Sequence, residues 1–424
     1  MRTQLLRLRY LICTMLILLS MTSCNRLDPQ ETHVYDRTIL VYIVAENTLS
    51  NYDPHTHTTY PHSDINEMLQ AAGDIPTNSR LIIYLDDTQM PRFISIERDQ
   101  ENKSIQKTLH QYTSDLDSGD PETLHQAMTW TTKHYPALSY GLVLWSHGDG
   151  WVPADDTNKK DKAATPPMQR SICIDNNQNT KYSNIGSKMN IADIAEVLSA
   201  FPRLEFILFD ACFMQSIEVA YELRHTTKHI VASPAEIPSP GAPYHRIVQP
   251  MFATPFDATK VADEYFKAYN DADRESMLQD YGVLLSVVNC DLLEDLATIT
   301  AEMNIKYVVK EDNLKMSDIQ RYCPQPSSSL PNFYDMNAYM KHLIIDEGDY
   351  KRWREALDRA VPYAATTPWW YSIYSSQGRE TVDLTSFGGI SCYVPQEGST
   401  YTQLNTLFRT TSWYAATGWQ QVGW

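Results

Sequence analysis

The sequence lacks an excess of basic residues. Its 424 residues include 52 aspartates and glutamates against 35 lysines and arginines, for a formal net charge of −17. A nucleic-acid interface needs a basic stripe along the phosphate backbone, so we expect no nucleic-acid partner. The length exceeds what one small core can fill, which predicts one large domain or two modest ones.

The sequence also lacks the motifs of several common active sites. It has no P-loop, GxSxG or HExxH pattern, no internal repeat and no coiled coil. Its seven cysteines match no metal or redox spacing. His55, His57 and His62 share a polar loop, but no acidic residues accompany them as they would at a metal site. We predict no metal site and no cofactor for the chemistry, while a role for calcium stays open.

No apolar run near the N-terminus is long enough to remain as a membrane span. The run at 11–19 is short, follows three arginines and precedes Met-Thr-Ser-Cys at 21–24, which resembles a bacterial lipobox. This predicts a lipoprotein signal peptide at 1–23, lipidation of Cys24 and a polar tether at 24–36. We therefore expect a cell-envelope protein held on the membrane by its lipid. An ordinary secretory signal with an incidental cysteine is the alternative.

From residue 38 onward, apolar strands alternate with amphipathic helices. This βαβα rhythm predicts an α/β fold with a doubly wound, mostly parallel sheet. Strands are predicted at 39–44, 80–85, 92–97, 142–145, 206–209, 228–233, 283–288 and 388–393. Helices are predicted at 63–72, with Ser63 as N-cap, and at 121–134, 191–200, 257–270, 292–303, 333–345 and 350–363.

A cysteine follows one of the buried strands. The run at 206–209 leads through Asp210 and Ala211 to Cys212, where a helix is expected to start. Open α/β sheets place their chemistry at the carboxyl ends of strands, and a helix N-terminus favours the thiolate. A buried packing cysteine is the alternative. Five cysteines remain beyond Cys24, an odd number, so at least one free thiol is expected.

A histidine follows another buried strand. The run at 142–145 ends in Ser146-His147-Gly148, so His147 occupies the same position on its strand as Cys212 does. If the two strands are neighbours, the imidazole and the thiol project from one sheet edge and can act as base and nucleophile. Gly148 lets backbone approach a substrate closely.

These two motifs resemble the signatures of the clostripain family of cysteine peptidases. The segments 41–47 and 390–395 and the Trp-rich C-terminus are similar to other parts of that family, although Asp149 and Gln215 depart from its pattern. The resemblance implies a caspase-like catalytic domain at 37–250 and a C-terminal α/β portion at 251–424 packed on it. It also implies protein or peptide substrates and a Cys–His dyad that needs no aspartate.

The resemblance implies a role for each site residue. Cys212 would attack the scissile carbonyl, His147 would carry the proton, and the N–H groups of Gly148 and Cys212 would form the oxyanion hole. The family's preference for Arg or Lys before the cut is carried onto Asp210, with Glu236 as a possible second acid. A helix cap is the alternative role for Asp210.

The polar segment 152–188 lies between the two catalytic strands. The resemblance implies self-cleavage in this region, and four basic residues could mark the cut: Lys159, Lys160, Lys162 and Arg170. A different reading keeps the fold without the activity, as a surface lipoprotein that binds protein or polysaccharide. The aromatic run at 369–371 and the Trp-rich C-terminus motivate that reading.

Overall fold

The structure, a computed structural model, describes residues 33–53, 56–153, 172–176, 186–270, 278, 280–310, 315–323 and 333–424. The predicted signal peptide, Cys24, most of the tether and the four predicted cleavage positions lie outside these residues. Tyr35–Trp424 forms one compact unit. Within the described residues no helix combines the length and the apolarity that a membrane crossing requires.

Strands and helices alternate along the described chain. The strands are β1 Tyr35–Val44, β2 Tyr52–Asp53, β3 Thr58–Thr59, β4 Ser79–Asp86, β5 Arg92–Arg98, β6 Ser104–Gln111, β7 Ala137–Trp145, β8 Ile172–Asp175, β9 Ser187–Met189, β10 Leu204–Asp210, β11 Thr227–Ala232, β12 Leu284–Asn289, β13 Tyr334–Asp335, β14 Tyr363–Thr366, β15 Trp369–Tyr371, β16 Arg379–Thr381 and β17 Ser391–Cys392. The α-helices are α1 Tyr60–Gln70, α2 Pro121–His134, α3 Ile191–Ser199, α4 Ile217–Leu223, α5 Tyr244–Met251, α6 Ala258–Asn270, α7 Leu293–Tyr307, α8 Met336–Leu343, α9 Glu347–Ala360, α10 Thr402–Phe408 and α11 Ser412–Ala416.

Nine strands form one sheet in the order β14-β12-β11-β10-β7-β1-β4-β5-β6. The five central strands, β11 to β4, pair in parallel, whereas the strands at both ends pair antiparallel. The chain builds outward from β1 in both directions, first to β4 and then to β7, β10 and β11. The switch in direction lies between β1 and β7, where open α/β sheets leave a crevice at the carboxyl ends of their strands.

The two faces of the sheet carry separate cores, which confirms the predicted double winding. Along β1, Leu40, Tyr42 and Val44 pack on one face with side chains of α2, α3, α4 and α7. The alternate residues Ile39 and Val41 pack on the other face with side chains of α1, α5 and α6. Because both faces are covered, the central strands are apolar throughout rather than alternating, as the sequence predicted.

Most predicted elements are present, with differences at their ends. Helix α2 has the predicted bounds, and Asp120 caps it by accepting a hydrogen bond from the backbone N–H of Glu122. The prediction of Ser63 as an N-cap is wrong, because α1 begins at Tyr60 with a proline in its first turn. The predicted strand at 388–393 is only Ser391–Cys392, which pairs with β13 outside the main sheet.

Candidate active site

The register of β7 and β10 brings the predicted histidine and cysteine to one sheet edge. Trp145, the last residue of β7, pairs with Asp210, the last residue of β10. His147 and Cys212 therefore each lie two residues beyond a paired position. Both line a cavity of about 450 Å³ at the carboxyl ends of these strands. The two strands are neighbours, which was the condition of the prediction, and both residues lie at the same edge of the sheet.

Cys212 lies in a turn and not at a helix N-terminus. Phe213 has a left-handed backbone with φ of 61°, which no helix can contain. Helix α4 begins only at Ile217, where Ser216 Oγ accepts a hydrogen bond from the backbone N–H of Val219. The prediction that the thiol sits on the first turn of a helix is wrong, so the helix dipole does not stabilise a thiolate here.

The Cys212 thiol has neutral partners and acidic neighbours. The backbone N–H of Ile237 donates to Sγ at 3.3 Å, and the thiol can donate to the Ile237 carbonyl at 3.7 Å. Burial raises the pKa of Cys212 to about 12, with further contributions from the carboxylates of Glu236, Asp149 and Asp210. Near neutral pH the resting site therefore holds a protonated thiol.

His147 contacts the turn after β1, which is the neighbour of β7 on the side opposite β10. Its Nε2 lies 2.7 Å from Thr48 Oγ1, in the turn that follows β1. No hydrogen bond between this imidazole and the Cys212 thiol occurs among the described residues. Burial lowers the pKa of His147 to about 4, and the positive charge of Lys188 lowers it further. The imidazole is therefore neutral at pH 7, which leaves one ring nitrogen able to accept a proton.

A buried amide and hydroxyl fix the backbone around His147. The side-chain amide of Asn47 donates to the carbonyls of Val44 and Ile174 at 3.0 and 2.8 Å. Ser146 Oγ donates to the Val44 carbonyl at 3.0 Å and accepts from the Ile174 N–H at 3.2 Å. These bonds join the ends of β1 and β7 to β8, so the histidine has little freedom to move.

Gly148 permits close contact between the histidine turn and the cysteine turn. A Cβ atom at this position would lie 2.7 Å from the carbonyl oxygen of Cys212 and 2.9 Å from the side chain of Ala211. An antiparallel bridge also pairs Gly148 with Ile172. Any larger residue here would separate the two turns.

Asp210 lines the same cavity and is almost entirely buried. Its carboxylate accepts hydrogen bonds from the Ala242 N–H at 3.1 Å and from the Tyr244 hydroxyl at 3.0 Å. Burial raises the pKa of Asp210 to about 6, although these donors lower it. Because Ser216 caps α4, the alternative in which Asp210 is the helix cap is wrong.

Glu236 lines the cavity as predicted and holds one wall of it. Its Oε1 accepts a hydrogen bond from the backbone N–H of Ile373 at 2.9 Å. Burial raises the pKa of Glu236 to about 7. The neighbouring Tyr371 and Tyr374 also line the cavity, so the segment after β15 forms one side of it.

The aromatic run at 369–371 does not form an exposed platform for a sugar. Trp370 is buried in the core, and Arg379 lies over the ring of Trp369. Of the C-terminal tryptophans, Trp413 and Trp419 are also buried. Buried tryptophans cannot stack on a polysaccharide, so these three residues do not support a polysaccharide-binding protein without activity.

The five described cysteines form no disulfide with one another, and the odd count predicted at least one free thiol. Four of them are buried, and Cys212 alone among these five is partly exposed. Sequence reasoning missed Thr48, Lys188 and Ile237, which contact or influence the histidine and the thiol. Thr48 could have been suspected from its place just after a buried strand, whereas a backbone partner such as Ile237 has no sequence signal.

His57 and His62, the two described members of the predicted histidine group, belong to no cluster of metal-ligand atoms in the described chain. His62 pairs with Asp87 at 3.0 Å and His57 hydrogen-bonds Tyr52 at 3.1 Å, whereas His55 lies outside the described residues. One other group in the described chain has convergent metal-ligand atoms, namely the buried acids Glu46, Asp86 and Asp175.

Comparisons with known proteins show which family this chain resembles. The model of the clostripain family matches residues 41–424. Clostripain from Hathewaya histolytica is 27% identical over 236 residues, which is 50% of this chain and 41% of that protein. The chain thus spans less than half the length of this curated relative.

Solved structures match over most of their length. A secreted C11 cysteine protease from Bacteroides thetaiotaomicron, in complex with an irreversible peptide inhibitor, is 30% identical with a TM-score of 0.75, covering 91% of this chain and 99% of that one. An inactive zymogen C11 protease from Parabacteroides distasonis is 28% identical with a TM-score of 0.72, covering 91% and 98%. These matches confirm the predicted caspase-like architecture.

The pKa values predict slow, strongly pH-dependent alkylation of Cys212. Because the pKa of this thiol is raised to about 12, only its small thiolate fraction reacts at neutral pH. The rate constant with iodoacetamide should rise about tenfold per pH unit between pH 7 and 10. Peptide mass spectrometry of the native protein measures it, with Cys212→Ala as the unlabelled control. A rate that levels off below pH 8 would contradict the raised pKa.

Proposed function

The chain belongs to the clostripain family of cysteine peptidases, and we propose that it is an endopeptidase with a Cys212–His147 dyad. The observation that carries this proposal is the convergence of thiol and imidazole on one cavity at the switch point of the sheet. A nucleophile and a base at adjacent strand ends are what acyl transfer requires. The second reading, a binding protein without activity, rested on aromatic residues of which Trp370, Trp413 and Trp419 are buried.

The protonation states of the two residues before substrate binds define the first step of the proposed reaction. With the thiol protonated and the imidazole neutral, His147 removes the thiol proton as sulfur attacks the scissile carbonyl carbon. In this proposal Nε2 keeps its hydrogen bond with the Thr48 hydroxyl, and Nδ1 is the nitrogen assigned to accept this proton. The same proton then passes to the leaving amine, and water hydrolyses the thioester. The N–H groups of Gly148 and Cys212 would stabilise the oxyanion.

Four substitutions test the dyad and its orientation. Cys212→Ala and His147→Ala should abolish peptide cleavage with the circular dichroism spectrum unchanged. Thr48→Val should lower kcat about 10- to 100-fold with little change in KM, because the ring loses its orienting partner. Thr48→Ser keeps the hydroxyl and should restore the rate. Undiminished turnover by Cys212→Ala would refute the mechanism, and equal loss in Thr48→Ser would refute the role of the hydroxyl.

The acidic cavity supports a preference for Arg or Lys before the scissile bond. Asp149, Asp210 and Glu236 line it together with one lysine, Lys188. Asp210 is the proposed selecting acid, since it lies at the end of the strand that carries the nucleophile. A buried carboxylate can pair with guanidinium in two parallel hydrogen bonds, and a neutral side chain cannot replace that charge.

Paired peptides with arginine or neutral citrulline before the cut measure this selection. Asp210→Asn should lower the arginine-to-citrulline ratio of kcat/KM at least about tenfold. Asparagine is used because alanine would leave the Ala242 N–H and the Tyr244 hydroxyl without an acceptor. In the wild type the ratio should fall as pH drops through about 6, where Asp210 gains a proton.

Glu236→Gln is the matched control for removing the charge of the Asp210 carboxylate. It also replaces a buried carboxylate in the cavity wall, and the arginine-to-citrulline ratio should change little. If Glu236→Gln abolishes the preference while Asp210→Asn keeps it, the selecting acid is Glu236 and the assignment to Asp210 is wrong.

Self-cleavage between the two catalytic strands is part of the proposal. The four basic candidates, Lys159, Lys160, Lys162 and Arg170, match the proposed specificity, and a relative is described as an inactive zymogen. Intact-mass analysis should find two fragments in the wild type and one chain in Cys212→Ala. A variant with all four residues changed to glutamine should also stay as one chain. A fully active single-chain wild type would exclude self-cleavage as a requirement.

Membrane attachment through Cys24 completes the proposed function. The lipobox resemblance supports it, and a relative is described as secreted, which agrees with export of this chain. Labelled palmitate fed to expressing bacteria should enter the wild type and not Cys24→Ser, and only the wild type should sediment with membranes. Equal labelling of both proteins would rule out this anchor.

A further inference from the structure

The active-site cavity has an apolar wall that neither the dyad nor the selecting acid uses. Tyr371, Ile373 and Tyr374 all line this cavity, from the end of β15 and the turn that follows it. Ile373 is largely exposed, and both tyrosines are partly buried. One exposed isoleucine alone would need no explanation. Three apolar or aromatic side chains on one side of a cavity, here called the hairpin wall, form a surface that a ligand can cover.

The hairpin wall is held in place by buried groups of the site. The backbone N–H of Ile373 donates to the buried Glu236 carboxylate at 2.9 Å. The ring of Tyr374 lies 6.3 Å from the ring of Phe213, which directly follows the nucleophile. The surface therefore exists before a substrate binds, and binding does not have to order it.

The composition of this turn favours an uncharged ligand. The segment 371–378 contains no aspartate, glutamate, lysine, arginine or histidine. A charged group placed against the hairpin wall would lose water without gaining an opposite charge from it. An aliphatic side chain would instead remove apolar area from water, both its own and that of Ile373. The hairpin wall is therefore suited to an apolar side chain.

The hairpin wall lies on the same side of the nucleophile as Asp210. Strand β10, which leads to Cys212, lies between β7, the strand of the histidine, and β11. The chain after β11 contacts the thiol at Ile237 and reaches the Asp210 carboxylate at Ala242. Glu236, which holds the hairpin wall, belongs to this same segment. Because Asp210 is the proposed acid for the residue before the cut, the hairpin wall lies beside the residues that precede the cut.

The depths of the two features assign the position. Asp210 is 5% exposed at the bottom of the cavity, whereas Ile373 is 68% exposed at its rim. Successive side chains of an extended peptide point to opposite sides. When the residue before the cut points down to Asp210, the preceding residue points to the rim. We propose that the hairpin wall binds an uncharged apolar side chain at the second position before the scissile bond, an inference that rests on the proposed peptidase function.

N-acetylated tripeptides that end in arginine and a fluorogenic amide measure this preference. Leucine and asparagine are compared at the second position, because their side chains have nearly the same shape and neither is charged. For the full-length wild type, kcat/KM should be at least about tenfold higher with leucine. Ile373→Ser should lower this ratio to about twofold or less, whereas Ile373→Val should keep it. Ile345→Ser is the matched control, since that isoleucine is 86% exposed and does not line the cavity, and its ratio should equal that of the wild type.

Each outcome decides the inference. Equal kcat/KM for leucine and asparagine in the wild type, or an unchanged ratio in Ile373→Ser, would overturn the subsite. A preference that appears only when leucine is moved to the third position would overturn the assigned position.

The arginine-to-citrulline ratio separates this subsite from the selecting acid. It should be the same in the wild type and in Ile373→Ser, because Asp210 is unchanged. Parallel loss of both ratios would indicate a distorted cavity and overturn the role of Ile373. Absence of cleavage of every peptide would overturn the proposed function and this inference with it, whereas cleavage without a leucine preference overturns this inference alone.

Discussion

The parallel register of β1, β7 and β10 is the constraint on which the proposed active site depends. Backbone hydrogen bonds align these strands so that Ile43, Trp145 and Asp210 end at one level. The turns beyond them therefore project into the same crevice. A register shift of one residue would move every side chain of a strand to the other face of the sheet, which the two covered cores forbid. The hydrophobic cores thus set the distance between nucleophile and base.

Burial in this crevice has opposite effects on the two partners. It raises the pKa of the Cys212 thiol and lowers that of the His147 imidazole, since both charged forms lose contact with water. The acidic neighbours of the thiol act in the same direction. In the proposed dyad both groups are neutral at rest, and the proton would move from the thiol to the imidazole only as sulfur attacks a substrate carbonyl. The acids that raise the pKa of the thiol are also the groups on which the proposed preference for a basic side chain rests.

The edge beside the crevice is acidic as well. Asp86 and Asp175 repel each other there, and Glu46 precedes the short segment that reaches His147 through Thr48. The chain thus places a group of carboxylates, whose burial costs free energy, close to the residues that contact His147. Such a group is stable only with protons or a cation, because buried charges need compensation.

The sequence by itself determined the strands and the place of Cys212 and His147 at their ends, because apolar runs and turn residues are local signals. The tertiary structure alone decided what those residues contact. The bond from Thr48 to His147 and the contact of Ile237 with the thiol join segments far apart in the chain. Even the helix expected at Cys212 begins only at Ile217, and before it the N–H groups of Phe213 and Gln215 donate to the carbonyls of Ala235 and Ser233. Protonation states follow from such burial, which no local pattern encodes.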